Sequence, residues 1–160
     1  MPRSLPQSRR CPLNGVAADD RNQRPLVGLR QVGLLVDALS PEALQDGLSR
    51  DTLSTDVEAE LRRAGIIISQ PPLPPGAAYL RVTVIMRRHI DVRMYAVYVE
   101  VSLHQLVVPS GKDTSMVDAL TWRTNSVGIV GAGNITEASD VVRELVREFT
   151  QDLRAANSIR

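Results

Sequence analysis

The chain has 160 residues, of which 43% are hydrophobic and 23% charged, and its formal net charge is +1 at pH 7. A single domain of this length buries about 70% of its unfolded surface, so its core needs no disulfide or metal. The near-zero charge gives no field strong enough to indicate nucleic acid or an anionic membrane as partner. One cysteine, Cys11, excludes an intramolecular disulfide and a multi-cysteine metal site.

Residues 1–24 are rich in Arg, Pro, Asn, Asp and Gln and show no hydrophobic period. We predict a disordered leader there, followed by a single domain over residues 25–157. Arg9 and Arg10 stand before Cys11, where a lipoprotein signal has an apolar stretch. No segment approaches the ~20 apolar residues of a membrane span. We therefore expect either a cytoplasmic protein or an export signal that lies outside this chain.

The first half of the domain carries strand and helix patterns. Residues 25–39 form an apolar run that predicts a central strand. Residues 49–64 predict a helix, because leucine and valine recur every fourth residue and Gly65 stands where a C-terminal cap belongs. Residues 66–68 predict a short buried strand. The proline-rich segment 71–76 then predicts a stiff, extended surface connection.

The most regular pattern is a long hairpin between Tyr79 and Val108. Apolar and polar residues alternate in both arms, which predicts antiparallel strands with one buried face. Residues 117–130 predict a further strand. Its inward-facing residues change from even-numbered to odd-numbered positions along the strand, so we expect a bulge near Asn125-Ser126. The inward residues predicted for this strand are Leu120, Trp122, Val127 and Ile129.

A closing amphipathic helix is predicted from Asn134, with Glu137 as its capping-box partner. The element order is therefore β-α-β-β-β-β-α. The simplest packing is a two-layer α+β sandwich, with two helices on one face of a mostly antiparallel sheet of about five strands. The predicted core contains Val32, Leu34, Val36, Leu53, Val57, Leu61, Val82, Val84, Val97, Val99, Val101, Trp122, Leu145 and Phe149.

Residues 128–134 form a glycine-rich segment, GIVGAGN, which follows Val127. This segment looks like the opening of a dinucleotide-binding fold. Thr136 occupies the third glycine position of that fingerprint, and too few residues follow to complete a nucleotide-binding unit. The segment is more typical of a glycine-rich strand-to-helix turn. Binding of a small ligand or nucleotide there is kept as the alternative function.

The predicted hairpin tip carries a basic cluster: Arg87, Arg88 and Arg93. Guanidinium groups bind phosphate or carboxylate in bidentate fashion, so these three form a candidate anion site, although a solvated turn has the same composition. The two histidines, His89 and His104, have no Asp, Glu or Cys at ligand spacing, so we predict no metal and no cofactor. No serine stands in a G-x-S-x-G setting, and we expect no enzymatic activity.

Three apolar residues fall on the outward phase of the hairpin strands: Ile85, Tyr98 and Leu106. Apolar side chains on neighbouring strands are typical of a contact surface for a protein partner or a homodimer. The alternative is that flanking arginines and the leader cover them. The chain has few aromatic residues on which single-stranded nucleic acid could stack, so no nucleic-acid partner is expected.

Several segments resemble uncharacterised bacterial exported domains: GLSRDTLSTDVEAELRRAGI, LRVTVIM, YAVYVEVSLHQLV, ALTW and the helix ending in AAN. These share the general plan of the curli-secretion-channel and TolB N-terminal type α+β domains of the cell envelope. The resemblance implies a periplasmic or envelope-associated location and a binding role, and it carries no active-site residues. The leading hypothesis is a non-catalytic protein-interaction module.

Overall fold

The computed structural model describes residues 23–89, 91–111 and 114–158, so Cys11 and almost all of the predicted leader lie outside the described residues. A short 3-10 turn at Arg24–Leu26 precedes the first strand. The further elements, in order, are β1 (Gln31–Val36), α1 (Pro41–Gln45), α2 (Arg50–Arg63), β2 (Ile67–Ser69), β3 (Tyr79–Arg88), β4 (Met94–Val107), β5 (Val117–Gly131), a 3-10 turn (Ala132–Asn134) and α3 (Glu137–Asn157).

The five strands form one open sheet in the order β2-β1-β3-β4-β5. Strand β1 runs parallel to both β2 and β3, while β3, β4 and β5 are antiparallel neighbours. Helices α2 and α3 pack against each other and against the same side of the sheet. The α+β prediction is thus confirmed. The sheet is mixed because α2 and β2 separate β1 from β3 and allow those two strands to run in the same direction.

The core lies between the sheet and the two long helices. Every predicted core residue is buried except Leu34, which is half-buried and packs at the margin. Tyr95 and Phe149 are the largest fully buried side chains, and the Phe149 ring meets Trp122 edge to face with centroids 5.0 Å apart. The period-two pattern of the hairpin therefore reports its buried face correctly.

Local signals set the helix ends. Ser49 precedes α2, and its Oγ accepts a hydrogen bond from the Thr52 amide at 3.4 Å. Gly65 follows α2 with φ +80°, a left-handed conformation that glycine adopts at little cost. The predicted start of the closing helix is wrong: Asn134 ends the second 3-10 turn, and α3 begins at Glu137 without a side-chain cap.

Two strand predictions are corrected. Strand β2 lies at the sheet edge rather than in the interior, and Ile67 is 61% exposed. The bulge in β5 lies at Thr121, since Leu103 pairs with Trp122 while His104 pairs with Leu120. An extra residue there reverses the facing of the side chains before it. Leu120, which comes before the bulge, therefore points outward. Val127 and Ile129 point outward because no bulge lies near Asn125-Ser126 and the pairing is unbroken after Trp122. All three residues were predicted inward, and all three are exposed.

Asn157, the last residue of α3, joins the two ends of the described chain. Its side-chain oxygen accepts from the Gly28 amide at 2.8 Å, and its side-chain nitrogen donates to the Leu26 carbonyl at 3.1 Å. The same nitrogen donates to the Leu153 carbonyl at 2.7 Å. The segment before β1 is thus held against the end of the closing helix.

Glu60 links α2 to α3 through Arg147 and also pairs with Arg63 within α2. Its side chain is 8% exposed, and Oε1 accepts from Arg63 at 3.0 Å and from Arg147 at 2.8 Å. The hydrogen bond from Arg147 is the main cause that lowers the pKa of Glu60, while burial acts in the opposite direction. The carboxylate is therefore charged and depends on its partners at neutral pH.

We expect Arg147→Ala to lower the free energy of unfolding at neutral pH by more than Arg62→Ala does, because the buried Glu60 carboxylate loses one of its two cations. A folded pKa below the ordinary value of 4.5 means that this stabilisation is present above that pH and is lost as the pH falls through the folded pKa. Urea denaturation across this range measures the difference. Arg62→Ala, which removes an exposed pair within α2, should cost about 0.5 kcal/mol or less, and equal losses would contradict the bridging role.

Candidate functional site

The face of the sheet opposite the two long helices carries a group of exposed apolar side chains near the hairpin tip. Strand pairing aligns Ile85, Tyr98 and Val127 in one row, and Arg87, Ala96 and Ile129 in the next. We call the apolar members of these rows, together with the neighbouring Met94, the hairpin patch: Ile85, Met94, Ala96, Tyr98, Val127 and Ile129.

The outermost strand contributes the most exposed side chains of the hairpin patch. Val127 is 76% exposed and Ile129 is 69% exposed, compared with 48% for Ile85 in β3. Single exposed apolar residues are normal, but a contiguous group on three strands is typical of a contact surface. Sequence reasoning missed Val127 and Ile129. In an unbroken strand after Trp122, every second residue as far as Val130 shares the buried face of Trp122. Val127 and Ile129 lie between these positions and would therefore point outward.

Tyr98 lies in the centre of the hairpin patch and is half-buried. Its hydroxyl donates to Glu100 Oε2 at 2.6 Å. This hydrogen bond, followed by burial, raises the pKa of Tyr98, so the phenol is neutral over the ordinary pH range. With its polar end already satisfied, the ring offers an apolar contact area at little loss of conformational freedom.

Leu106, the third predicted partner residue, lies elsewhere. It pairs with Asp118 at the opposite end of β4, eight residues beyond Tyr98. The proline-rich segment reaches this end of the sheet, because a Cβ built on Gly76 would lie 3.3 Å from Leu106 Cδ1. The structure brings together Ile85 and Tyr98 but leaves Leu106 outside the hairpin patch.

A shallow cavity of about 400 Å³ opens beside the hairpin patch. Ala96 is the small central residue of its row, between the larger Arg87 and Ile129, and this difference in side-chain size leaves the depression. The lining residues are Arg87, Arg88, His89, Val92, Met94, Tyr95, Ala96 and Ile129.

Two of the three predicted anion-binding residues, Arg87 and Arg88, line this cavity, whereas Arg93 does not. No described carboxylate forms an ion pair with any of the three. His89 Nδ1 accepts from the Asp91 amide at 3.2 Å, which leaves Nε2 as its hydrogen-bearing nitrogen when the ring is neutral. The cavity thus combines an apolar floor with arginines at its margin that form no ion pair with a described carboxylate.

Further from the tip, the same face is polar. Arg81 Nε donates to both carboxylate oxygens of Asp37 at 3.1 Å, and the Thr83 hydroxyl donates to the same group at 2.7 Å. Tyr79 stacks on His104 with ring centroids 4.9 Å apart. These contacts hold polar groups in fixed positions in the middle of the face, in contrast to the apolar hairpin patch.

Ser102, His104 and Asp118 share this polar region without forming a catalytic arrangement. His104 Nδ1 lies 3.5 Å from Asp118 Oδ2, a close approach whose geometry is not that of a hydrogen bond. Within the described part of the chain, Ser102 Oγ is buried and has no hydrogen-bond partner. Nucleophilic catalysis needs a hydrogen bond from nucleophile to base, and these contacts do not supply one. The absence of enzymatic activity stays a prediction.

The glycine-rich segment is divided between two elements. Gly128 lies inside β5, Gly131 ends the strand, and Gly133 belongs to the 3-10 turn before α3. The first turn of α3 carries Glu137 and Asp140, whose negative charges oppose a phosphate at that helix end. Nucleotide binding at this turn therefore gains no support from the local charge.

Neither a metal cluster nor a membrane-spanning helix is found within the described ranges. No group of three or more His, Cys, Asp or Glu residues could hold a metal ion in that part of the chain. None of the helices there is both long and apolar enough to cross a membrane. The predicted absence of metal and cofactor stays a prediction.

No family model matches the chain, and no curated protein matches it. Among solved structures it is similar to a minor lipoprotein from Acinetobacter baumannii, with 15% identity over 81% of this chain and 93% of that one and a TM-score of 0.43. A dodecameric PelC variant from Paraburkholderia phytofirmans shows 17% identity over 79% and 90%, with a TM-score of 0.46. Rare lipoprotein B from Shewanella oneidensis shows 15% identity over 79% and 92%, with a TM-score of 0.28. At these values the likeness assigns no family and no function.

Proposed function

We propose that the chain is a non-catalytic protein-interaction module that binds its partner through the hairpin patch. The observation that supports this most directly is the exposure of Ile85 on β3 and of Val127 and Ile129 on β5, on either side of Tyr98 on β4. Transfer of apolar surface out of water is favourable by roughly 25 cal/mol per Å², so such a patch favours association.

The surroundings of the hairpin patch indicate what its partner looks like. Arg87 and Arg88 border the cavity over Ala96, and Arg93 lies at the same tip. Guanidinium groups without carboxylate partners favour an opposing surface that carries Asp or Glu. We infer a partner that offers an apolar side chain to the cavity and carboxylates to the arginines.

Rigidity of the site also supports a binding role. The hairpin patch lies on three long, paired strands rather than on a loop, and its central tyrosine is fixed by its hydrogen bond to Glu100. A preformed surface loses little conformational entropy when a partner binds. The same rigid surface offers no nucleophile paired with a base, so binding is the role it suits.

The bacterial cell envelope is the location that we propose for this module. This part of the proposal comes from the sequence resemblance to exported envelope domains. Fractionation of the cells that produce the full-length protein tests the location directly, and recovery in the cytoplasmic fraction alone would contradict it.

The test of the binding surface is a double variant, Ile85→Ser with Tyr98→Ser. After a partner is isolated from envelope extract and purified, we expect this variant to raise the Kd for that partner by about tenfold or more, because central apolar contacts dominate binding energy. Isothermal titration calorimetry provides the Kd. Leu44→Ser removes a similarly exposed apolar residue (50% exposed) on α1, outside the hairpin patch and the cavity lining, and its Kd should equal that of the wild type. An unchanged Kd in a folded double variant would refute the proposal.

A further inference from the structure

Strand β5 has one free edge. It contains 15 residues, lies at the end of the sheet order and, among the described residues, pairs with β4 alone. Every second backbone amide and carbonyl along an edge strand points away from its neighbour and has no ladder partner. At the other end of the sheet, β2 has only three residues, which is a common way to limit pairing with other chains.

The second half of β5 lacks the features that usually protect an edge. Residues 124–131 contain no charged residue and no proline. The charged residues of β5, Asp118 and Arg123, lie in its first half, and so does the bulge at Thr121. Natural edge strands are commonly blocked by charge, proline or a bulge. The free edge at 124–131 is thus open to a further strand.

The sequence of this segment is complementary to itself in antiparallel pairing. If two copies meet about a two-fold axis at Gly128, Val127 of each faces Ile129 of the other on the outer side of the sheet. Both side chains are highly exposed in the single chain. At the axis, a Cβ added to Gly128 would meet nothing within 4 Å, so no side chain stands in the way. The segment carries no charge that would repel its own copy.

We propose that the chain forms a two-fold symmetric dimer in which the β5 edges of two copies pair antiparallel around Gly128. The result is a continuous sheet of ten strands with Val127 and Ile129 of both copies in one apolar cluster. The inference rests on the proposed function only in using these two members of the hairpin patch. The dimer leaves Ile85 and the Tyr98 ring, on β3 and β4, available to a different protein.

Disulfide trapping tests the position of the two-fold axis. In a Cys11→Ser background, Gly128→Cys provides the only thiol, and we expect it to give mainly cross-linked dimer after mild oxidation. Facing residues of paired strands have Cα atoms about 4.5–5.5 Å apart, within the range of a disulfide. Asp118→Cys is the matched control on the same strand, since two copies of residue 118 would lie roughly 65 Å apart. Absence of cross-linking at Gly128→Cys, or equal cross-linking of both variants, would overturn the proposal.

Sedimentation equilibrium tests the edge without cysteines. We expect the wild type to be dimeric and the double variant Val127→Lys with Ile129→Lys to be monomeric, because lysines on an edge oppose pairing. Ile67→Lys places the same change on β2, where the residue is 61% exposed, and should leave the dimer intact. A wild type that stays monomeric at all concentrations would also overturn the proposal.

The proposed binding surface and the proposed dimer can be refuted independently of each other. The Ile85→Ser and Tyr98→Ser variant should still cross-link through Gly128→Cys, because neither substitution lies on β5. A monomeric protein that still binds its envelope partner would remove the dimer alone. A dimer whose partner binding is insensitive to Ile85 and Tyr98 would remove the proposed binding surface alone.

Discussion

Replacing Val99 by aspartate should lower the free energy of unfolding by about 4 kcal/mol, the largest single effect that we expect. Val99 lies in the middle of β4, is 1% exposed and points toward the helices. A carboxylate there would have no ion-pair partner and would have to be buried or protonated. Urea denaturation followed by circular dichroism at neutral pH measures the loss.

Val108→Asp is the matched control for this substitution. Val108 follows the end of β4 and is 52% exposed, so its change should stay within about 0.5 kcal/mol of the wild type. If Val99→Asp cost less than about 1 kcal/mol, the inner face of β4 would have to be accessible to water. The assignment of the two sheet faces would then be wrong.

Gly33→Val should lower the free energy of unfolding by about 2–3 kcal/mol through overpacking. Gly33 is buried in β1, and a Cβ there would lie 2.4 Å from Leu73 Cδ2 and 2.5 Å from Leu73 Cδ1. Leu73 belongs to the proline-rich segment, so the missing side chain of Gly33 is what lets that segment pack onto the sheet. The added valine side chain has to displace the Leu73 side chain.

A double-mutant cycle identifies the cause of that loss. In a Leu73→Ala background the space above β1 is free, so Gly33→Val should cost at least about 1 kcal/mol less than in the wild type. The four proteins are compared by urea denaturation under one set of conditions. If Gly33→Val lowered the free energy of unfolding equally in both backgrounds, Leu73 would not be the reason that residue 33 has no side chain.

Much of the fold could be predicted because period-two alternation in β3 and β4 and the helical stripes report which side of each element is buried. Alternation says nothing about a strand's neighbours, so the parallel pairing of β1 was not foreseen. The phase of β5 was missed for a related reason. Apolar residues occur at both parities between Leu120 and Val130, and only the pairing with β4 decides that Thr121 is the bulged residue.

The candidate site could be predicted only in part. Ile85 and Tyr98 were found because each breaks the polar phase of its own strand. Ala96 carries no such signal, since a small residue becomes a depression only when Arg87 and Ile129 are known to flank it. Leu106 satisfies the same outward rule as Tyr98, but distance along β4 and the approach of Gly76 separate it from the hairpin patch.

The hydrogen bonds of the Asn157 side chain determine which end of the domain carries both ends of the described chain. Because these hydrogen bonds hold Gly28 and Leu26 to the end of α3, the first and last described residues, Gln23 and Ser158, lie at one pole of the molecule. The hairpin tip is at the other pole, since the Ala132 amide, just before α3, donates to the Arg93 carbonyl. The 21 residues of α3 span about 30 Å between the poles. Attachment at either end of the described chain would therefore leave the arginines of the hairpin tip and Tyr98 facing away from the point of attachment.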